Sequence, residues 1–229
     1  VTGVSVTSLT SSPAARAGAR DALPFAVAGF MVAISFGISA RAAGMPGLAA
    51  IAMSAFVYAG AAQFAAVAIL GQGGSVVAAV LAAMLMNARY LAMGVAIGPS
   101  LKGGRLRRAL EGQAVVDASW ALANQGDGRF SRHVLFGSSA PQYVTWLTGT
   151  VVGVLAGSAL PDPDALGIDA VFPAFFLALL VGELRDAQAS AVAIGGVAVA
   201  IVLGLLAPAG VGILAASLVA FAGLRAAGR

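Results

Sequence analysis

The chain contains no cysteine and a single histidine, His133, among its 229 residues. Without thiols there are no disulfides, thiolate metal sites or Fe–S clusters, and one imidazole is too few for a histidine-built metal centre. Charge is equally sparse. Asp, Glu, Lys and Arg make up 10% of the residues, against roughly 25% in an ordinary soluble domain. The deficit is also uneven: the 47 residues 42–88 and the 38 residues 187–224 carry no Asp, Glu, Lys, Arg or His at all. No Gly-x-x-x-x-Gly-Lys-Ser/Thr loop is present, which excludes ATP chemistry of the Walker type. No nucleophile–base or metal-ligand constellation stands out either, so the chain is not read as an enzyme and no cofactor is expected.

What fills the charge-free runs is apolar. The chain is 60% hydrophobic with a mean hydropathy of +0.95. At about 1.5 Å per residue, one helix of either run would far exceed the roughly 30 Å hydrocarbon core of a bilayer, so each run must fold back on itself. The reading is an all-α polytopic membrane protein. Hydrophobic segments fall at about 22–40, 47–70, 75–97, 113–125, 134–160, 170–183, 188–206 and 209–224, seven to eight in all, punctuated by Gly and Pro at Gly44/Pro46/Gly47, Gly73/Gly74, Gly98/Pro99, Pro161/Pro163 and Pro208/Gly210. Residues 1–20 read as a disordered, Ser/Thr/Ala-rich tail and residues 21–229 as one transmembrane domain. The stretch 22–40 mimics a signal peptide but, at 19 residues, exceeds the 7–15 of an h-region and flows into further apolar segments.

The net charge of +4 does not point to nucleic acid, because Lys102, Arg105, Arg107 and Arg108 crowd one short connection. Such a cluster marks a cytoplasmic loop. Arg16 and Arg20 place the N-terminal tail on the same side, which requires an even number of crossings between the two, yet three apolar stretches intervene. Either the tail lies outside or one stretch is a re-entrant hairpin. Segment 47–70 is the better candidate for a break, with Ser54, Tyr58, Gly60 and Gln63 in mid-run. Segments 113–125 and 170–183 are also too short to span comfortably, and short or broken segments at matching places in two halves point to a transporter binding site. A weak echo of Phe36-Gly37, Gly44 and Gln63-Phe64 in Val152-Gly153, Gly157 and Phe175-Phe176 would suit two inverted halves.

The polar groups at membrane depth are few. Arg89, within Met86-Asn-Ala-Arg-Tyr90, lies mid-segment, where an arginine costs at least about 2.5–3.5 kcal/mol on insertion scales. It either snorkels or pairs with a carboxylate, or it meets an anionic substrate group. Asn87 and Tyr90 share its helical neighbourhood. Asp117 is the matching acid, and Asp117, Trp120 and Asn124 form one stripe at i, i+3, i+7. A carboxylate there has several open roles: binding an ammonium, carrying a coupling proton, pairing with Arg89, or lying exposed at the interface. Gly60 lets the run Tyr58-Ala-Gly-Ala-Ala-Gln-Phe64 unwind and offer N–H groups to a carboxylate. Gly149, Gly153 and Gly157 form a flat stripe for another helix, of this chain or of a partner, the internal contact being favoured. Trp120 and Trp146 default to interfacial belt positions.

Taken in order, Phe36-Gly37 with Gly44, the run 58–64, Met86-Asn-Ala-Arg-Tyr90, Asp117, Trp146-Leu-Thr-Gly-Thr-Val-Val-Gly153 and Leu166-Gly-Ile-Asp169 leading to Pro173-Ala-Phe-Phe176 resemble the AzlC family. This is the large subunit of branched-chain amino acid exporters of the AzlCD or BrnFE type, and the resemblance covers about residues 21–225. It implies secondary-active export of Leu, Ile or Val across the bacterial inner membrane, together with a small AzlD-like membrane subunit. The family pattern often has Asp-Glu where this chain has Asp117-Ala118, which leaves a second carboxylate without a counterpart. On this reading Arg89 and the backbone at Gly60 and Gln63 hold the substrate carboxylate, Asp117 or Asn87 the ammonium, and Phe64, Trp120, Trp146 and Phe176 the apolar side chain, with Tyr58 and Tyr90 beside them. The other class kept open is a non-transporting membrane anchor or scaffold, which would have no use for charges at depth.

Overall fold

The computed structural model describes residues 12–126, 128–157 and 187–206, together with Leu177, Leu180, Val181, Leu184, Ala215 and Val219. Among these, all regular structure is helical apart from one isolated bridge between Asn124 and Phe130. In chain order the helices are α1 Pro13–Asp21, α2 Leu23–Ala42, α3 Gly47–Phe56, α4 Gly60–Gly71, α5 Val76–Asn87, α6 Arg89–Ile97, α7 Arg105–Gly112, α8 Asp117–Ala123, α9 Arg132–Gly157 and α10 Ala187–Leu206, with a 3₁₀ turn at Gly98–Ser100.

Ser12 starts α1 by accepting the Ala15 amide at 3.1 Å, and Pro13 occupies the first turn, where its missing N–H costs nothing. Ala15 and Gly18 are buried against Gly137 and Val134 of α9. Residues 13–20 are therefore a packed helix and not part of a disordered tail, because small residues at i and i+3 let α1 lie close to α9.

The centre of the molecule is the pairing of α2 with α9. Gly149 lies against Phe30 and Ala33, Gly153 against Ile34 and Gly37, and Gly157 against Ile38 and Arg41. Both number series rise together, so the two helices run parallel. A Cβ at Gly153 would collide with the Ile34 carbonyl, and one at Gly37 would sit 2.6 Å from the Thr150 carbonyl oxygen. Backbones this close gain dispersion contacts that larger side chains would prevent, the usual device of helix packing in lipid. The glycine stripe is thus an internal contact.

The ends of α2 and α9 give the rest of the chain a direction. At the far end, where both finish, Gly47 faces Val154 and Gly71 faces Ala43. Helix α3 therefore leaves that end and α4 returns to it. Between them the chain turns at Tyr58, which has a φ of 46°, a left-handed conformation that costs a non-glycine residue roughly 1–2 kcal/mol. Segment 47–70 is a helical hairpin whose two ends lie at the same end of α2 and α9, broken where its mid-run polar residues stand. A second, shorter excursion starts from the near end. After α7 the chain runs inward to Asp117, and α8 brings it back, so that the Ser131 amide at the start of α9 donates to the Ala123 carbonyl at 2.8 Å. The near end also receives the last turn of α6 and the basic helix α7, and α1 lies there too. Both basic clusters thus lie at the near end, beside the start of α9.

The number of spans differs from the seven to eight expected. Among the described residues two helices are long and apolar enough to cross a membrane, Leu23–Ala42 and Val76–Ser100. Segment 47–70 breaks at Tyr58, segment 113–125 yields only the seven-residue α8, and Gln142, Thr145, Thr148 and Thr150 dilute the hydropathy of the 26-residue α9. Segments 170–183 and 209–224, and with them the second half of the internal echo, lie almost wholly outside the described residues.

A buried polar chain pins the hairpin to α9. Gln63 is fully buried, and its Nε2 donates to Ser54 Oγ at 2.8 Å while its Oε1 accepts from Trp146 Nε1 at 3.1 Å. Ser54 and Thr150 share a further hydrogen bond of 2.7 Å, and Thr150 Oγ1 also lies 3.0 Å from the Trp146 carbonyl oxygen. Around this chain Phe36, Ala40, Ala50, Val67 and Val154 form the apolar core, with Phe64 edge-on to Phe36 at 5.7 Å.

Candidate functional site

Three interruptions in the helices meet at one place: the turn at Tyr58, the joint at Ala88 between α5 and α6, and the extended approach to α8 at Val116. Helix α8 starts where it does because Ser119, fully buried, accepts the Val116 amide at 3.0 Å and donates to the Ala114 carbonyl at 2.6 Å. The interruptions enclose a cavity of about 480 Å³. Tyr58, Asn87 and Tyr90 line its inner part, Val57, Ile97 and Val115 supply apolar wall, and Arg108 and Gln113 lie towards the near end. The Gln113 side chain also donates to the Phe56 carbonyl at 3.2 Å, tying the mouth of the cavity to the hairpin.

Two buried side-chain atoms of residues that line the cavity meet no hydrogen-bond partner of good geometry among the described residues. They are the buried Asn87 Oδ1 and the buried Tyr58 hydroxyl, which has Ser139 beside it. Buried polar atoms are nearly always paired, because an unmet one costs about 1–3 kcal/mol. The Tyr58 ring packs edge-on against Tyr143 at 5.0 Å, and Tyr143 in turn donates to the Ala55 carbonyl at 2.9 Å. On the other side of Tyr58 and Gln113 lies a second cavity of about 410 Å³, reaching Leu110, Phe136, Ser139 and Tyr143.

Arg89 and Asp117 are ion-paired, with Arg89 NH2 2.8 Å from Asp117 Oδ2 and side-chain exposures of 26% and 36%. Tyr90 donates to the same carboxylate oxygen at 3.3 Å, and the Arg89 guanidinium lies 5.2 Å from the centre of the Tyr90 ring. The carboxylate also sits in the first turn of α8, where the helix dipole favours negative charge. Of the roles left open for these residues, pairing with each other is the one the structure displays.

The remaining residues singled out from sequence lie elsewhere. Gly60 opens α4 just beyond the Tyr58 turn, with no side-chain cap on that helix end. Gln63 and Trp146 satisfy each other in the buried chain, and Phe64 packs on Phe36. Trp120 is not at a belt: it packs against Phe130 at 5.0 Å in a cluster with Ile97, Val115 and Leu135, and its Nε1 is buried without a partner. Asn124 caps the turn that follows, accepting the Gly126 amide at 3.0 Å. Phe176 lies outside the described residues.

Sequence reasoning did not foresee a second ionic knot at the near end. Glu111 and Arg132 are both buried; Arg132 Nε donates to Glu111 Oε2 at 2.9 Å, and Arg107 and the Lys102 amide add bonds of 3.1 and 3.3 Å. Burial alone would raise the Glu111 pKa, but the bonds from Arg132, Lys102 and Arg107 outweigh it and hold the carboxyl below its ordinary value. A signal for it existed. Between residues 22 and 126 the only acids are Glu111 and Asp117, and each takes an arginine.

Comparison with known proteins adds to this geometry. The family model described as AzlC protein matches residues 24–160. The chain is 30% identical to the inner membrane protein YgaZ of Escherichia coli K12, over 75% of this chain and 74% of that protein. It is 33% identical to an uncharacterized membrane protein of Archaeoglobus fulgidus, over 92% of this chain and 94% of the other, and 28% identical to one from Helicobacter pylori 26695, over 72% and 75%. No solved structure matches it. These relatives are membrane proteins, and so is this chain, which by the match of its residues 24–160 and its coverage of those relatives belongs to the AzlC family.

Proposed function

We propose that the chain is the large subunit of a secondary-active exporter of branched-chain amino acids, a multi-pass protein of the bacterial inner membrane working with a small AzlD-like subunit. The observation that carries this reading is the cavity where three helix interruptions meet, lined by Tyr58, Asn87 and Tyr90 together with apolar side chains. Irregular backbone at membrane depth is tolerated only where it is covered by protein or lines a water-filled space, which is the setting of transporter binding sites.

In this site the ammonium of a Leu, Ile or Val meets the Asn87 carbonyl and the Tyr58 hydroxyl, while its branched side chain lies against Val57, Ile97 and Val115. Arg89 and Asp117 stand behind Tyr90 as a neutral pair that fixes the Tyr90 hydroxyl. A cost of several kcal/mol for an unpaired charge at this depth keeps the two together. The test is counterflow in proteoliposomes with a panel of radiolabelled amino acids, with and without the small subunit. Uptake of Leu, Ile and Val in excess of Gly, Lys and Glu is expected when both subunits are present. Equal rates for the whole panel, or none for the aliphatic members, would remove the reading.

A further inference from the structure

The cavity has a cation at its mouth that the pairing of Arg89 with Asp117 does not account for. Arg108 lines the same cavity as Tyr58 and Asn87. Its neighbour Arg107 differs from it, being bonded to Glu111, whereas among the described residues no carboxylate pairs with Arg108. The Arg108 side chain folds back onto the end of α6, where NH2 donates to the Gly98 carbonyl at 2.6 Å. Gly98 leaves room for this approach, since a Cβ there would sit 3.2 Å from the same nitrogen. One of the five guanidinium donors is thereby used, and among the described residues no acceptor meets the others. An arginine serving only to mark a cytoplasmic loop gains nothing from lining a cavity.

We infer that Arg108 is a capture subsite that holds the carboxylate of the incoming amino acid at the near-end mouth before the substrate moves inward to Tyr58 and Asn87. This rests on the transport reading above and adds to it a residue and an order of events. Asn87 and Gly98 are eleven residues apart on α5, α6 and the turn that follows, about 16 Å along the helix. One amino acid cannot bridge that distance, so Arg108 and Asn87 act in succession. A guanidinium presents a planar fork that fits a carboxylate, and a cation without a carboxylate partner at the mouth of a cavity draws anionic groups there.

The experiment compares wild type, R108Q, R108K and R105Q with the small subunit in vesicles of zwitterionic lipid, reading KM and kcat for valine with the near end facing the substrate. Arg105 is the control, being a loop charge of the same helix that does not line the cavity. R108Q is expected to raise KM about tenfold or more with kcat within about twofold; R108K should recover most of the loss, and R105Q should match wild type. Raising the ionic strength should increase the wild-type KM and leave that of R108Q unchanged. An R108Q variant with wild-type KM overturns the inference, as does an equal rise in R105Q, which would make it a general surface-charge effect. An R108Q chain that no longer folds, or that loses kcat at constant KM, would assign the arginine to holding the end of α6 and also overturn it. Wild type that moves no amino acid would instead overturn the transport reading itself.

Discussion

At the scale of single residues, the chemistry is concentrated in two carboxylates that each capture an arginine. Asp117 takes Arg89 beside the cavity, and Glu111 takes Arg132 at the near end. The Asp117 pair separates two explanations of Arg89 that sequence left open. Arg89→Ala strands the Asp117 charge and loosens Tyr90, so transport is expected to fall by at least about tenfold, equivalent to about 1.4 kcal/mol. The cost to stability should stay below the roughly 3–5 kcal/mol of a fully buried pair, since both side chains keep partial exposure. In the double variant Arg89→Ala with Asp117→Ala no charge is stranded, and transport should recover in part. A double variant as inactive as the single one, measured by valine counterflow, would mean that Arg89 touches the substrate directly.

Among elements, α7 is the one most dependent on charge, because Glu111 collects bonds from α7 itself, from the preceding turn and from α9. Its depressed pKa sets the sign of the pH effect. A carboxyl whose folded-state pKa lies below its unfolded value contributes stability that is fully present above the unfolded pKa, near 4.5, and lost as the pH falls through the lower folded value. Thermal unfolding of the detergent-solubilised protein should therefore hold its midpoint from pH 7 to about 5 and decline below. Glu111→Gln should lower the midpoint at pH 7 and flatten that acid-side decline. An unchanged acid limb in the variant would show that other carboxylates govern it. The hairpin of α3 and α4 depends instead on neutral hydrogen bonds through Gln63, so it should be indifferent to pH over this range.

For the molecule as a whole, the parallel contact of α2 with α9 is the frame on which both excursions hang. Gly153→Leu would drive a side chain into the Ile34 backbone. Overpacking of this kind costs about 1–3 kcal/mol where neighbours can shift, and more where the obstacle is backbone. The expected outcome is loss of the monodisperse folded chain on size-exclusion chromatography even when it is expressed without a partner. Gly204, where an added Cβ meets nothing within 4 Å, is the matched control, and Gly204→Leu should elute as wild type. A Gly153→Leu chain that folds alone but fails to join a small subunit would contradict the internal packing.

Composition and charge placement determined the membrane setting, the helical class and the weak point in segment 47–70, because each is a matter of solvation that a local run of residues decides. The conflict between the two basic clusters and three apolar stretches was itself legible, but that the hairpin of α3 and α4 returns to the end it left was decided by packing. The membership of the site was less so. Gln63 and Trp146 look like ligand contacts in a list of polar and aromatic residues, but which hydrogen bond each makes depends on Ser54 and Thr150, the latter 96 residues from its partner. The pairing of Arg89 with Asp117, the knot at Glu111 and the inward fold of Arg108 are likewise outcomes of which helices meet. Sequence fixes the energy cost of each polar group at depth; only the packing of the glycine-lined helices decides which partner relieves it.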